Sequence, residues 1–255
     1  MMTVWICIGV ALLAFLFGVA GLFLQKLLPE PHSIDRSREM IGAIVGLVSL
    51  LLALVLGTLI GSAYSFFSTQ KSEIETFAAR EVQLDLALAE FGTETQEARV
   101  RMKQTLQGVR DMVWGDRAGA IAAPDISVSA PLGHLRDLDE YVASLDPKTA
   151  AQRQFAASAA ADAGVIEQTR VLISMQLASS ISWPLVVVVV SWALILFCGF
   201  GLLSRLNGTT LAALAFGAFA VGSALFLILE LSQPFTGVFR VPSAAFDQML
   251  ASIGR

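Results

Sequence analysis

Four stretches of this chain are each apolar and long enough to be a membrane helix, and they restrict its fold more than any other feature. About 20 helical residues cross a hydrocarbon core of roughly 30 Å. The first stretch runs from Thr3 to Leu24 without a charge and stops at Lys26. The second spans about Met40 to Phe67, with Ser49, Thr58, Ser62 and Tyr64 as its polar groups. The third, about Trp183 to Leu203, carries a VVVVV run that suggests a strand in water but suits a helix facing lipid. The fourth runs from Thr209 to about Leu231. The N-terminal run lacks the basic n-region of a signal peptide and is too long for an h-region, so it reads as a retained span.

What lies between these runs sets the domain plan. Pro29 and Pro31 break the chain after the first span, Ser33 or Asp35 can cap the next helix, and a short SRLNG link joins spans three and four. Each pair of spans is therefore expected as a tight antiparallel hairpin. From Phe66 to about Ser182 the composition changes, with 11 of the 17 basic and 16 of the 21 acidic residues in that stretch. The expected domains are 1–67 (spans one and two), 68–181 (an extramembrane helical domain), 182–232 (spans three and four) and 233–255 (a C-terminal tail). The fold class is all-α: an integral membrane four-helix bundle with a long extramembrane helical hairpin between spans two and three.

Within that domain Ile74, Phe77, Leu84, Leu88, Phe91, Ala98 and Met102 recur at steps of three and four, the period of an amphipathic helix or coiled coil. No proline interrupts Met40 to Trp114, so span two is expected to continue unbroken to about Trp114 and Gly115. A Gly-, Ala- and Pro-rich loop follows to about Pro131. Leu135, Leu138, Tyr141 and Leu145 suggest a short helix ending at Asp146 and Pro147. Asp146 as cap with Pro147 at the first helical position then starts a second long helix that runs into span three.

Charge and motifs exclude several classes. A net charge of −4 with scattered Lys and Arg argues against a nucleic-acid partner. Cys7 and Cys198 lie inside apolar runs, where a thiol behaves as a small hydrophobe. His32 and His134 have no ligand partners at metal spacing, and the cluster Asp137, Asp139 and Glu140 reads as a solvated face, so no metal and no cofactor is expected. Phosphate-loop, nucleophile-elbow and zincin motifs are missing, and the spans offer no catalytic pair, so no enzyme is expected. Lys26, Arg36, Arg38 and Arg205 in the short links favour the cytoplasmic side for those links. The termini and the helical domain are then expected on the non-cytoplasmic side.

Two sets of residues stand out. Gly42, Gly46, Ala53, Gly57, Gly61 and Ser65 form a ladder of small residues along span two, fit for packing in the bundle, a subunit contact or a pore face. Glu230 is the ionisable group set well inside an apolar run, either functional or reaching headgroup water near the end of span four. Beyond it Pro234 and Gly237 should end the helix, with Trp5, Trp183, Phe235 and Phe239 available for interfacial aromatic belts.

The string ILELSQPFTGVFRV, Ile228 to Val241, resembles the C-terminal signature of the bestrophin-like family of bacterial membrane proteins. The two-span, helical-domain, two-span layout extends the resemblance over nearly the whole chain. It marks Glu230, Pro234, Phe235 and Gly237 as motif residues, and implies kinship with anion channels that are oligomers with a pore lined by helix two. Span two departs from such a pore in lacking a run of aromatics, since Tyr64, Phe66 and Phe67 stand at its far end. The resemblance implies a multi-pass bacterial inner-membrane protein, a lipid-embedded homo-oligomer acting as an ion channel or in transport. The alternative is a structural or signalling protein whose helical hairpin binds a protein partner through surface residues such as Arg99 or Lys103.

Overall fold

The computed structural model describes residues 2–27, 34–115, 140–178, 183–235 and 237–254. His32, His134, Pro29, Pro31, Ser33, Asp137, Asp139 and the loop from 116 to Pro131 lie outside the described residues. All regular elements among the described residues are helical: α1 (Met2–Leu27), α2 (Ile34–Phe91), α3 (Gln96–Trp114), α4 (Ala150–Ala178), α5 (Trp183–Leu203), α6 (Gly208–Leu231) and α7 (Ala244–Ser252). Four of them are long and apolar enough to cross a membrane: α1, α2, α5 and α6. At 1.5 Å per residue, the 58 residues of α2 extend about 87 Å, far beyond a hydrocarbon core of about 30 Å. Its long uncharged part stops at Lys71, and charged residues recur from there to Glu90.

The contacts divide the chain into two compact units, Met1–Phe66 with Ile181–Ser232, and Phe67–Ser180 with Gln233–Arg255. In the first unit α1 packs on α5 and α6. Glycines permit the approach: a Cβ on Gly21 would collide with the Cys198 carbonyl, and one on Gly201 with the Gly18 carbonyl. Val45, Leu52, Val189, Ala193, Leu225 and Leu229 form one apolar cluster, and Ala14, Leu22, Phe197, Leu214 and Ala218 another. Asn207 starts α6 as an N-cap, its side chain accepting from the Thr210 N–H at 2.7 Å.

In the second unit the expected unbroken helix is interrupted. Gly92 adopts φ 147°, a 3-10 turn follows at Thr93–Thr95, and α3 starts afresh. The chain folds back there, because Arg99 reaches Asp85 with two of its nitrogens, Nε and Nη2. Phe91 and Met102 keep the helical period on either side of the break, so the period alone concealed it. A Cβ at Gly92 has open room, with nothing nearer than 4.0 Å, but its φ is one that other residues rarely adopt. Gly92→Ala is therefore expected to cost roughly 1–3 kcal/mol, read from a urea titration of the full chain.

The second long helix also starts later than Asp146. Thr149 and Gln152 form a reciprocal capping box: the Gln152 N–H donates to Thr149 Oγ1 at 3.1 Å, and Gln152 Oε1 accepts from the Thr149 N–H at 3.2 Å. Residues 140–144 are helical before it, and residues 179–182, where α4 would pass into α5, are outside the described set. Bonds join α2 to the α4 region at three levels: Gln70 to Gln176, Arg80 to Asp162 at 2.9 Å, and the Phe91 carbonyl to Gln152 at 3.0 Å. Residues 233–255, set apart by sequence as a tail, cluster with 67–180. Their helix α7 and its C-cap Ile253 put Phe246, Met249 and Ile253 into a core with Phe77, Leu84, Leu88, Met102, Leu106 and Ile166.

Candidate functional site

The motif residues occupy the end of α6 and the loop after it. Glu230, in the last turn, is 3% exposed and lies between Leu229 and the C-cap Ser232, whose hydroxyl donates to the Ile228 carbonyl. Cys7 belongs to the apolar cluster that takes in Ile228 and Leu229, the two residues before Glu230 in this turn. The carboxyl is thus enclosed by the chain rather than presented on its outside.

Pro234, Phe235 and Gly237 build a short loop. The Val241 N–H donates to the Pro234 carbonyl at 2.8 Å, closing it, and Arg240 Nε donates to the Gly237 carbonyl at 3.0 Å. The Val241 carbonyl in turn accepts from the indole N–H of Trp114 at 2.8 Å, and the Trp114 ring meets Phe235 edge-on at 6.2 Å. Phe235 therefore packs on Trp114 within the second unit, whereas Trp5, Trp183 and Phe239 are exposed. Trp114, which sequence marked only as a helix end, is the residue on which this loop rests.

Further polar contacts hold α7 in place. Arg110 Nε donates to Asp247 Oδ1 at 3.0 Å and Ser243 Oγ to Asp247 Oδ2 at 2.7 Å. The Ser243 hydroxyl, with Arg110 behind it, lowers the Asp247 carboxyl from its ordinary value. Lys103 Nζ donates to the Ile253 carbonyl at 2.6 Å. Arg99 is 7% exposed, and its hydrogen bonds to Asp85 hold its guanidinium above the usual arginine range. Arg99 is thus buried inside the unit and is not a surface contact for a partner, a correction to the sequence reading, while Lys103 is half-exposed with its ammonium bound to the Ile253 carbonyl.

The small-residue ladder behaves differently from the glycines of α1, α5 and α6. A Cβ at Gly42, Gly46, Gly57 or Gly61 would meet nothing within 4 Å. Only 6% of the most apolar stretch of α2 is buried, against 28–39% for the other three spans. Leu47, Leu50 and Leu54 stand exposed on the same helix. The close-packed glycines Gly18, Gly21, Gly199, Gly201 and Gly222 escaped sequence reasoning, since their spacing does not distinguish an inner face from an outer one. Among the described residues no group of three His, Cys, Asp or Glu is placed to hold a metal ion.

A family model described as the bestrophin-like domain matches residues 12–246. A bacterial bestrophin homolog from Klebsiella pneumoniae, solved by crystallography, is similar over 96% of both chains, with a TM-score of 0.65 and 16% sequence identity. At that identity the likeness is one of fold. No curated protein matches the chain. With four apolar helices and a family match over nearly all of its length, this membrane protein belongs to the bestrophin-like family.

Proposed function

We propose that this protein is one subunit of a homo-oligomeric ion channel in the bacterial inner membrane, with the apolar part of α2 turned toward the other copies around a central path. The observation that carries this reading is the open small-residue face of α2, where a Cβ added at Gly42, Gly46, Gly57 or Gly61 would meet nothing within 4 Å. In lipid, small residues at steps of four gain most when another backbone comes close. Family membership adds the implication of an anion path lined by the second helix.

In this reading α1, the apolar part of α2, α5 and α6 form a four-helix bundle. The charged part of α2 pairs antiparallel with α4 as a helical hairpin, since the partner numbers 176, 162 and 152 fall as 70, 80 and 91 rise. Lipid and further copies of the chain are the partners, with no role for nucleic acid. The hairpin lies on the non-cytoplasmic side, which labelling of a cysteine placed at Gln107 checks. Glu230, Pro234, Phe235 and Gly237 serve to fix the exit of α6 and the loop that follows, and no catalytic step is assigned to them.

The deciding experiment introduces Gly57→Cys into a chain whose Cys7 and Cys198 are serine, reconstituted in lipid bilayers. Oxidation should link copies to one another through position 57, and the unlinked protein should carry an anion current. A monomer in the bilayer, or a verified oligomer without current at any potential, ends the channel reading.

A further inference from the structure

Glu81 lies on the charged part of α2 and is 1% exposed, yet its Oε2 has no hydrogen-bond partner. Every neighbouring cation is committed elsewhere or stands off. Arg80 donates to Asp162 and Gln83. From α3, Arg99 is taken up by Asp85, one turn along α2 from Glu81, and Asp85 also accepts the Gly254 N–H from beyond α7. Lys103 is bound to the Ile253 carbonyl. From α4, Arg170 acts on Glu81 through space, with Glu167 acting on Arg170 as well. No ion pair joins Arg170 to Glu81 among the described residues, and Arg170 Nη1 is itself buried without a partner.

An ionised carboxylate enclosed this way loses its hydration and gains little in return, whereas a neutral acid gives up far less on leaving water. We infer that Glu81 is a proton-binding site of the helical unit: it is carried as a neutral carboxylic acid within the contact of α2 and α4, and releases its proton when that contact opens. The assignment is independent of any transport activity. Burial pushes the carboxyl up to about 8; Arg170 draws it down by less, and Asp85 adds to the rise.

The direction of the pH effect follows. The packed unit keeps a proton that the opened chain gives up above its ordinary value of 4.5. The closed contact is therefore favoured most at acid pH, loses ground as pH rises from about 4.5 to about 8, and changes no further above that.

The experiment uses the full chain in lipid nanodiscs. Hydrogen-exchange protection of the α2 amides around Glu81, corrected for the intrinsic rate, should fall about fifty-fold between pH 6 and pH 8. In Glu81→Gln, which keeps the shape and cannot ionise, the profile should be flat. Infrared difference spectra of the wild type should show a protonated carboxyl band at pH 6 that is lost by pH 9 and missing in the variant. Arg170→Gln should move the wild-type midpoint upward by removing the stabilising cation. If the band is missing from the wild type, or if Glu81→Gln retains the pH dependence, the carboxyl is ionised in the packed unit and the assignment fails.

Discussion

Arg99→Ala is expected to destabilise the helical unit by about 3–5 kcal/mol. The pair it breaks is bidentate, at 2.7 and 2.8 Å, and the side chains are only 8% and 4% exposed. Removing the guanidinium leaves the Asp85 carboxyl enclosed beside Glu81, where the Gly254 N–H still donates to it. That penalty, rather than the lost attraction, supplies most of the effect. Arg101, paired with Glu97 on the exterior, provides the control, and Arg101→Ala should cost under about 1 kcal/mol. Arg99→Lys should recover only part, since an ammonium cannot reproduce the two-pronged fit. Asp85→Leu with Arg99→Met should recover most of the stability by removing both charges together. Trp114 supplies the fluorescence signal for urea unfolding once Trp5, Trp183 and Trp192 of the spans are phenylalanine. A cost for Arg99→Ala as small as the Arg101 control would mean that water reaches the pair.

Phe246→Ala should cost a similar amount, about 3–5 kcal/mol, by a different cause. Phe246 is 2% exposed, stacks on Phe77 at 6.0 Å and leans on Trp114 at 5.3 Å. Truncation removes the ring and leaves a cavity between α2, α3 and α7 that backbone shifts fill only in part. Because α7 is short, the loss should appear first as its release from the core. Trypsin should then cut at the exposed Arg240 about a hundred-fold faster than in the wild type, the factor that roughly 3 kcal/mol gives when cleavage follows the open population. Phe239→Ala, at an exposed ring, should change the rate little. Equal cleavage rates in the Phe246 variant and the wild type would show that α7 contributes nothing to the core.

The apolar runs made plain from sequence the four helices long and apolar enough to cross a membrane, because lipid imposes one length and one polarity on any helix that crosses it. The QPFTGVFRV string likewise pointed to the family. The turn at Gly92 was hidden, since the apolar period continues from Phe91 to Met102 whether the helix goes on or folds back. Arg99 looked like a surface residue because charge alone does not reveal that a carboxylate fourteen positions earlier faces it. Phe246, Met249 and Ile253 do carry a signal, recurring at three and four positions, which would have marked α7 as a helix with a face to bury. Along α2 the glycine spacing was legible but its direction was not, because in lipid an outer face and an inner face are equally apolar.

The place of α7 in the core also decides when that core can form. Gly254 bonds to Asp85 across 169 positions, and Lys103 to Ile253 across 150. During synthesis the segment from Phe67 to Ser180 emerges long before these partners do, and two long apolar helices, α5 and α6, come in between. Until the last of those residues has left the ribosome, α2, α3 and α4 hold an open apolar seam. Such an intermediate is prone to aggregate or to recruit chaperones, so nascent chains stalled before Phe246 should be degraded far faster than released ones.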